Sequence, residues 1–176
     1  MITVRVLGVD EVDRIREIDR AETIRIGYRQ EGTELVETPV RWDDPGWREG
    51  DGEHSFGRMI RGAEDLMEVE GTAFGAFDGD RLVGIAIYRP RLTEAVGQLG
   101  LLHVSAGYRR RGIASRLFRE VLALARSDGA ECLYVSATPS GSAVGFYLHH
   151  GFVPTADPDP QLLREEPDDI HMIVHL

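Results

Sequence analysis

An apolar run, a short basic turn and an amphipathic run follow one another between residues 97 and 125. The turn reads Arg109-Arg110-Arg111-Gly112-Ile113-Ala114. A strand–turn–helix order leaves backbone N–H groups free beside the turn, at the positive end of the helix dipole, where anions bind. Gly112 has no Cβ, so the backbone can approach a ligand closely. The pattern predicts a phosphate-binding loop, and an exposed basic turn is the alternative.

A second block lies downstream and reads Ser140-Gly141-Ser142-Ala143-Val144-Gly145-Phe146-Tyr147, closed by Gly151-Phe152. Neither of the two common nucleotide-binding loops, G-x-G-x-x-G after a strand or G-x-x-x-x-G-K-[ST], is present. The two blocks together resemble the GCN5-related N-acetyltransferases (GNAT family). In that family the acyl-CoA loop reads Gln/Arg-x-x-Gly-x-Gly/Ala, and a later helix reads roughly Asn-x-x-Ala-x-x-Phe-Tyr before Gly-Phe. The close match covers residues 97–153.

The resemblance implies that acetyl-CoA is the co-substrate and that the loop N–H groups hold its pyrophosphate. It implies that the preceding strand, at His103 and Val104, meets the pantetheine arm. Ala114 stands where the family usually has Gly, and Ser140 where it has Asn; a Ser can cap the helix or bond the pantetheine. The implied cofactor-binding residues are His103, Val104, Arg109, Arg110, Arg111, Gly112, Ile113, Ala114, Ser115, Ser140 and Ala143.

Tyr147 is the implied catalytic residue, acting as a general acid. Acetylation of an amine expels a thiolate, and alkyl thiols such as that of Cys titrate near ~8.5. A phenol with a pKa near ~10 stays protonated at neutral pH and can donate its proton to that sulfur. The alternative is a half-buried aromatic side chain that only packs.

The general base is left open by the sequence. A lysine-like amine has a pKa of ~10.4, so some group must accept its proton at neutral pH. Several family members use a Glu on the strand before the loop, but the corresponding position is Gln98, which cannot act as a base. By proximity in sequence the candidates are His103, Glu68 and Glu70.

The other histidines are predicted to be solvated: His149, His150, His171 and His175. No set of His, Cys, Asp and Glu has metal-ligand spacing, so no metal is predicted. Cys132 is the single cysteine and cannot form an internal disulfide. We expect a buried, inert thiol and a cytoplasmic protein, because the chain begins with a strand-like segment and shows no signal peptide.

Charge and length restrict the function classes further. The chain has 176 residues and a formal net charge of −10, which argues against nucleic-acid binding and is compatible with a cationic substrate. No apolar stretch reaches the ~18–20 residues of a membrane helix. We expect one acyl-CoA N-acyltransferase domain, residues 1–176.

The periodicity predicts strands and helices in mixed order. Strands are expected at 2–7, 72–77, 82–88, 97–104, 132–137, from 152 and at 170–176, and helices at 9–18, 54–69, 113–125 and 140–150. Asp78-Gly79 predicts a hairpin turn. This order indicates an α+β fold with helices on both faces. The resemblance implies a GNAT-like, mixed and mostly antiparallel twisted sheet of about six to seven strands.

Two segments are expected to be irregular: residues 27–53, as a long loop or insertion, and residues 157–169, as a solvated acidic excursion. The region 20–70 is the expected acceptor-binding side, with acidic residues interleaved with Trp42, Trp47 and Phe56. Acid beside aromatic faces suits a cation, and a solvated acidic surface is the alternative.

The sequence therefore predicts an N-acetyltransferase that moves an acetyl group to a primary amine of a small molecule or peptide by direct attack. A non-catalytic acyl-CoA-binding or sensing module of the same fold is one alternative. A transferase for an O-linked acceptor or a bulkier acyl group is another. The expected partner is the amine acceptor, without nucleic acid or membrane, and a homodimer is left open.

Overall fold

The computed structural model describes residues 1–176. The nine strands are β1 (Ile2–Leu7), β2 (Glu22–Glu31), β3 (Glu34–Asp44), β4 (Thr72–Asp78), β5 (Arg81–Arg89), β6 (Val96–Val104), β7 (Cys132–Ala137), β8 (Val153–Pro154) and β9 (Ile170–His175). The α-helices are α1 (Phe56–Glu68), α2 (Ile113–Ser127), α3 (Gly141–His149) and α4 (Pro160–Glu165). Two 3₁₀ helices are Val9–Glu17 and Ala106–Tyr108. None of the helices combines the length and the apolar composition that a membrane span requires.

Seven strands form one sheet in the order β1-β4-β5-β6-β7-β9-β8. All neighbouring pairs are antiparallel except β6 and β7, which run parallel. The tight turn between β4 and β5 contains Gly79, whose φ is +59°. The mixed, mostly antiparallel α+β fold predicted from the sequence is confirmed.

The parallel pair is short. Only Val96–Gln98 pairs with Cys132–Tyr134, and the two strands then separate. A bulge interrupts β6 at the same point, between the residues that face Ile87 and Tyr88. The sheet therefore opens between β6 and β7, and this opening positions the site described below.

Two apolar clusters cover the two faces of the sheet. One contains the predicted helical face of α2, with Leu117, Phe118 and Val121, together with residues of α3. The other joins the first 3₁₀ helix and α1 to the opposite face through Ile15 and Ala63. Both sets are removed from water, which is the main stabilising contribution to such a fold.

The prediction of a loop at residues 27–53 is wrong, because most of this segment belongs to an antiparallel hairpin of β2 and β3. Gly32, with φ +63°, forms its turn, and a bulge lies between Ile24 and Ile26. Both faces of this ribbon are largely exposed or half-buried, so the apolar alternation that marks a strand is missing. The backbone ladder holds the ribbon instead.

Two further expectations need adjustment. The helix predicted at 9–18 is a 3₁₀ helix. The segment 157–169 is not entirely a solvated excursion, because it contains α4, whose first N–H groups donate to the Asp159 side chain. It also carries two half-buried carboxylates, those of Asp159 and Asp169.

Candidate active site

A cavity of about 780 Å³ lies where β6 and β7 separate. Its walls are the second half of β6, the loop and first turn of α2, the end of β7, and α3. Arg20 and Glu22, which precede and begin β2, line its rim. The volume is within the range of pockets that hold drug-sized ligands and cofactors.

The start of α2 is a helix end without a cap. Its N-cap residue, Gly112, has φ +74° and offers no side-chain hydrogen bond. The other three helices are capped by Ser55, Ser140 and Asp159. A Cβ placed on Gly112 would meet no protein atom within 4 Å, so the space in front of the loop is open. Free N–H groups facing open space fit an anion such as a pyrophosphate.

The three arginines of the loop differ in what they contact. Arg109 donates to the carbonyl oxygens of Val104 (3.1 Å), Ala21 (3.1 Å) and Arg20 (2.9 Å). Arg111 lies over the Tyr108 ring, 5.1 Å from its centroid. The Arg109 guanidinium is thus a clamp between β6 and the segment before β2, which the sequence did not indicate. Arg110, with φ +62°, lines the cavity.

Tyr147 lies on α3 and lines the cavity with only 6% of its surface exposed. Burial, together with the charge of Asp169, raises the pKa of its hydroxyl above the usual value for tyrosine. The phenol therefore stays protonated at neutral pH and can donate a proton. Its ring also packs against Phe146 and Phe152.

Ser140 caps α3, because its hydroxyl accepts a hydrogen bond from the N–H of Ala143 (3.3 Å). It also forms a β-bridge with Gly27 of β2. The neighbouring N–H of Tyr28 donates to the carbonyl of Pro139 (3.0 Å). The β2–β3 hairpin is therefore attached to the start of α3 and forms one side of the rim.

His103 lines the cavity, with its ring edge-on to Trp47 at a centroid distance of 4.8 Å. Burial lowers its pKa to about 3, and the nearby Arg20 and Arg109 add to the effect. The imidazole is therefore neutral at pH 7. With so low a pKa it is too weak a base to take a proton from an ammonium group. As a candidate general base, His103 is a poor fit.

The remaining base candidates lie away from the cavity. Gln98 is buried, and its side-chain oxygen accepts a hydrogen bond from Arg89 (3.5 Å). Glu68 is exposed at the end of α1, and Glu70 is exposed and paired with Arg91. No residue nominated from the sequence as a base is both near the cavity and able to take up a proton at neutral pH.

Two of the four histidines expected to be solvated are not. His150 packs against Phe118 and Phe146 and lies 3.2 Å from the Ser115 hydroxyl, and burial lowers its pKa. His171 is 2% exposed, and its Nδ1 is 2.6 Å from the Tyr134 hydroxyl. Packing between elements distant in sequence buries the His171 ring and half-buries the His150 ring. His149 and His175 are exposed.

The acidic and aromatic residues of 20–70 are less open than expected. Several acids are paired with arginine: Glu49 with Arg16, Asp44 with Arg20, Glu31 with Arg29 and Asp51 with Arg61. Trp47 is 9% exposed, whereas Trp42 is 42% exposed. Among the acidic residues of the region 20–70, Glu22 lines the cavity. No group of three or more His, Cys, Asp or Glu is arranged to hold a metal ion.

The sheet opens between two parallel strands, and an uncapped helix start faces this opening, as the resemblance to acyl-CoA-dependent acetyltransferases predicted. A sequence model of the acetyltransferase (GNAT) family matches residues 35–152. The chain therefore belongs to the acetyltransferase (GNAT) family, and by this class its co-substrate is acetyl-CoA.

Three relatives illustrate the range of similarity. The N-acetyltransferase YedL of Escherichia coli K12, described as uncharacterized, is 32% identical over 95 residues, or 51% of this chain and 55% of that protein. The structure of nourseothricin acetyltransferase aligns with a TM-score of 0.72 at 17% identity, covering 99% of this chain and 98% of that one. The structure of a Bacillus anthracis str. Ames acetyltransferase named for streptothricin, in complex with acetyl coenzyme A, aligns with a TM-score of 0.73 at 16% identity. The alignment covers 100% of this chain and 99% of that one. At these identities the two structures share the fold with this chain.

Proposed function

We propose that this chain transfers the acetyl group of acetyl-CoA to a primary amine of a small molecule or peptide by direct attack. The observation that carries the proposal is that three different groups line one cavity. They are the uncapped start of α2, the buried Tyr147 and the carboxylate of Glu22. Anion binding, proton donation and attraction of a cation are the three tasks that such a transfer requires.

The cofactor role of the loop follows from its backbone. The free N–H groups at the start of α2 hold the pyrophosphate, and Arg110 and Arg111 add positive charge at the same end. His103 and Val104 on β6, with Ser140 and Ala143 at the start of α3, lie along the pantetheine path. The full set proposed for cofactor binding is His103, Val104, Arg109, Arg110, Arg111, Gly112, Ile113, Ala114, Ser115, Ser140 and Ala143. For Arg109 the role is indirect, because its side chain clamps the rim.

Tyr147 acts as the general acid in this proposal. Bound acetyl-CoA supplies a thioester that an amine can attack. The departing sulfur takes the proton of the Tyr147 hydroxyl, which its burial keeps protonated at working pH. A thiol leaves more readily than a thiolate, so the donated proton lowers the barrier of the step in which the carbon–sulfur bond breaks.

The proposed acceptor is a small cationic amine that reaches the cavity from the side of β2. Glu22 gives this rim a carboxylate, and the Trp47 ring packs edge-on against His103, which also lines the cavity. The structural neighbours named for nourseothricin and streptothricin make those compounds reasonable first acceptors to test.

The test is turnover of acetyl-CoA with a panel of amines, followed by release of the free thiol and by mass spectrometry of the acceptor. The panel includes nourseothricin, polyamines, lysine-bearing peptides and alcohols of matched size. We expect N-acetylation of at least one cationic amine. If acetyl-CoA binds in calorimetry but no acceptor is modified, the non-catalytic acyl-CoA module replaces this proposal.

A further inference from the structure

A polar network lies at the closed end of the cavity, where β6 and β7 stop pairing. The last pair that the two strands form joins Gln98 to Tyr134, and the strands separate beyond it. Ser136 is the next residue of β7 on the same face as Tyr134, and it lines the cavity. Its side chain is therefore the first on that face to lie beyond the pairing, where the gap between the strands opens.

The alternation of β7 separates this network from the apolar face of the sheet. Every second residue of the strand lies in the apolar cluster that contains α2 and α3: Leu133, Val135 and Ala137. Tyr134 and Ser136 point to the opposite face, where both lie within hydrogen-bonding distance of His171 on β9. Tyr147 belongs to the apolar cluster. Tyr147 and Ser136 therefore reach the cavity from opposite faces of the sheet.

The Nδ1 atom of His171 has two hydroxyl groups beside it. The Tyr134 hydroxyl lies 2.6 Å from Nδ1, and the Ser136 hydroxyl lies 3.2 Å from it. The Tyr134 oxygen accepts a hydrogen bond from the N–H of Asp159 (3.0 Å), so its own proton is available for Nδ1. A neutral imidazole accepts through a single lone pair, and the shorter contact occupies it. The Ser136 proton is left without an acceptor in the protein.

Burial fixes the protonation states on which this arrangement depends. It raises the pKa of Tyr134 to about 12, so the phenol keeps its proton. It lowers the pKa of His171, so the imidazole is neutral at pH 7. Because the lone pair of Nδ1 is already occupied, His171 does not take up a proton from the cavity. The network therefore presents a hydroxyl group to the cavity rather than a base.

We propose that the Ser136 hydroxyl donates a hydrogen bond to the carbonyl oxygen of the thioester of bound acetyl-CoA. This inference rests on the proposed function. An amine that attacks through its lone pair offers no acceptor, whereas the carbonyl oxygen gains negative charge during the attack. The nitrogen–carbon bond forms, the carbon–sulfur bond breaks, and the sulfur takes the Tyr147 proton. The nitrogen releases a proton to water, Tyr147 regains one from water, and Ser136 keeps its proton throughout.

The other hydroxyl groups that line the cavity are placed differently. Ser115 lies at the loop end, 3.2 Å from a ring nitrogen of His150. Ser140 is used as the cap of α3. Thr138 follows the end of β7, two residues further along the opening than Ser136, and no hydrogen bond holds its hydroxyl. Thr138 therefore serves as the matched control, because its hydroxyl can be removed from the same wall of the cavity.

The first experiment observes the carbonyl group directly and needs no turnover. Acetyl-CoA labelled at the thioester carbonyl carbon is bound to the protein, and infrared difference spectra give its C=O stretch. A hydrogen bond from a hydroxyl group lowers this frequency. In wild type the stretch should lie below that of free acetyl-CoA, and in Ser136→Ala it should move back toward the free value. Ser136→Thr, which keeps a hydroxyl, should retain most of the shift, and Thr138→Val should retain all of it.

Tyr134→Phe tests the network behind Ser136. Without the phenol, the lone pair of His171 Nδ1 is free and takes the Ser136 proton. The C=O stretch should then move toward the free value, as in Ser136→Ala, although Ser136 is still present. The Kd for CoA, which lacks the thioester carbonyl, should equal that of wild type in both variants. An unchanged stretch in Tyr134→Phe overturns the role of Tyr134 and His171.

Turnover supplies the second measurement. Ser136→Ala should lower kcat by about 10²- to 10³-fold, as the loss of one donor to a developing oxyanion does, and the KM of the amine should stay close to that of wild type. Ser136→Thr should restore part of kcat, and Thr138→Val should keep the wild-type value. A loss confined to KM would mean that Ser136 binds the amine, and it overturns the proposed hydrogen bond.

The outcomes separate the two proposals. A wild type that binds acetyl-CoA with a lowered C=O stretch but acetylates no amine overturns the proposed function and leaves the hydrogen bond of Ser136 in place. A wild type that turns over, with the same stretch as Ser136→Ala, overturns only the role of Ser136. A Ser136→Ala variant that also loses its affinity for CoA overturns this role too, because the effect is then a general change of structure.

Discussion

The two ends of the cavity are built in different ways. The loop end comes from one continuous segment, residues 104–115, and offers mainly backbone N–H groups at an uncapped helix start. The rim end is assembled from parts far apart in the chain: Arg20 and Glu22 line the cavity beside His103 of β6, whose neutral ring packs against Trp47. Recognition of a phosphate needs only a backbone conformation, whereas recognition of an amine needs charges brought together by the fold.

The comparison also predicts how each end tolerates substitution. Every residue has the same N–H group, so most side chains of the loop can change if Gly112 keeps its positive φ. At the rim the side chains themselves carry the chemistry, and their surroundings determine their pKa values. The predictions below compare the two ends, and the largest expected effect lies between them.

Replacing Tyr147 with Phe should lower kcat by about 10²- to 10⁴-fold, because the general acid is lost while the ring still packs. The Kd for CoA should stay close to that of wild type. Since the pKa of Tyr147 is raised, wild type should not lose kcat through this group up to pH 10. Steady-state kinetics and calorimetry measure both effects. Tyr28→Phe is the matched control, since that hydroxyl bonds only Glu37 on the exposed hairpin. Unchanged kcat in Tyr147→Phe would reduce Tyr147 to a packing residue.

At the loop end, Gly112→Val should weaken CoA binding by about 100-fold. A β-branched residue at φ +74° is strained, and its side chain occupies the open space before the N–H groups. Gly107→Val is the control, because its added Cβ also meets nothing and its φ is not positive. Arg110→Ala should lose less than tenfold, since exposed charge contributes about 0–1 kcal/mol. Equal losses for Gly112→Val and Arg110→Ala in calorimetry would assign the binding to side-chain charge.

The same contrast explains how much the sequence predicted. β6, the loop that follows it and α2 depend on residues adjacent in sequence, so the sequence pattern predicted them directly. The burial of His171 could not be predicted, because its partners Tyr134 and Ser136 come from a different strand. The β2–β3 ribbon escaped prediction because backbone pairing, rather than an apolar face, holds it together.

Arg109 links the two ends, and Arg109→Met should reduce stability by about 1–3 kcal/mol. The substitution leaves three carbonyl groups, those of Val104, Arg20 and Ala21, without their charged donor. Denaturant unfolding measures this loss, and Arg58→Met on the exposed side of α1 should change stability little. The KM of the amine should also rise, because residues 20–22 are no longer held at the rim. A variant as stable as wild type would show that these hydrogen bonds are replaced by water.

The smallest expected effect concerns the approach of the acceptor. For a cationic amine, kcat/KM should fall about threefold to tenfold between 0.01 and 0.15 M ionic strength, as the Debye length shrinks from ~30 to ~8 Å. The net charge of −10 favours this attraction, but the arginine pairs at Asp44 and Glu49 offset part of the field.

Glu22→Gln should reduce the salt dependence, because it removes a carboxylate that lines the cavity. Glu31→Gln, at the tip of the hairpin, removes the same charge away from the cavity and should reduce it less. Equal slopes in both variants would mean that the whole acidic surface, and not the rim, steers the amine. A salt-independent kcat/KM in wild type, or a preference for anionic acceptors, would contradict the cationic acceptor altogether.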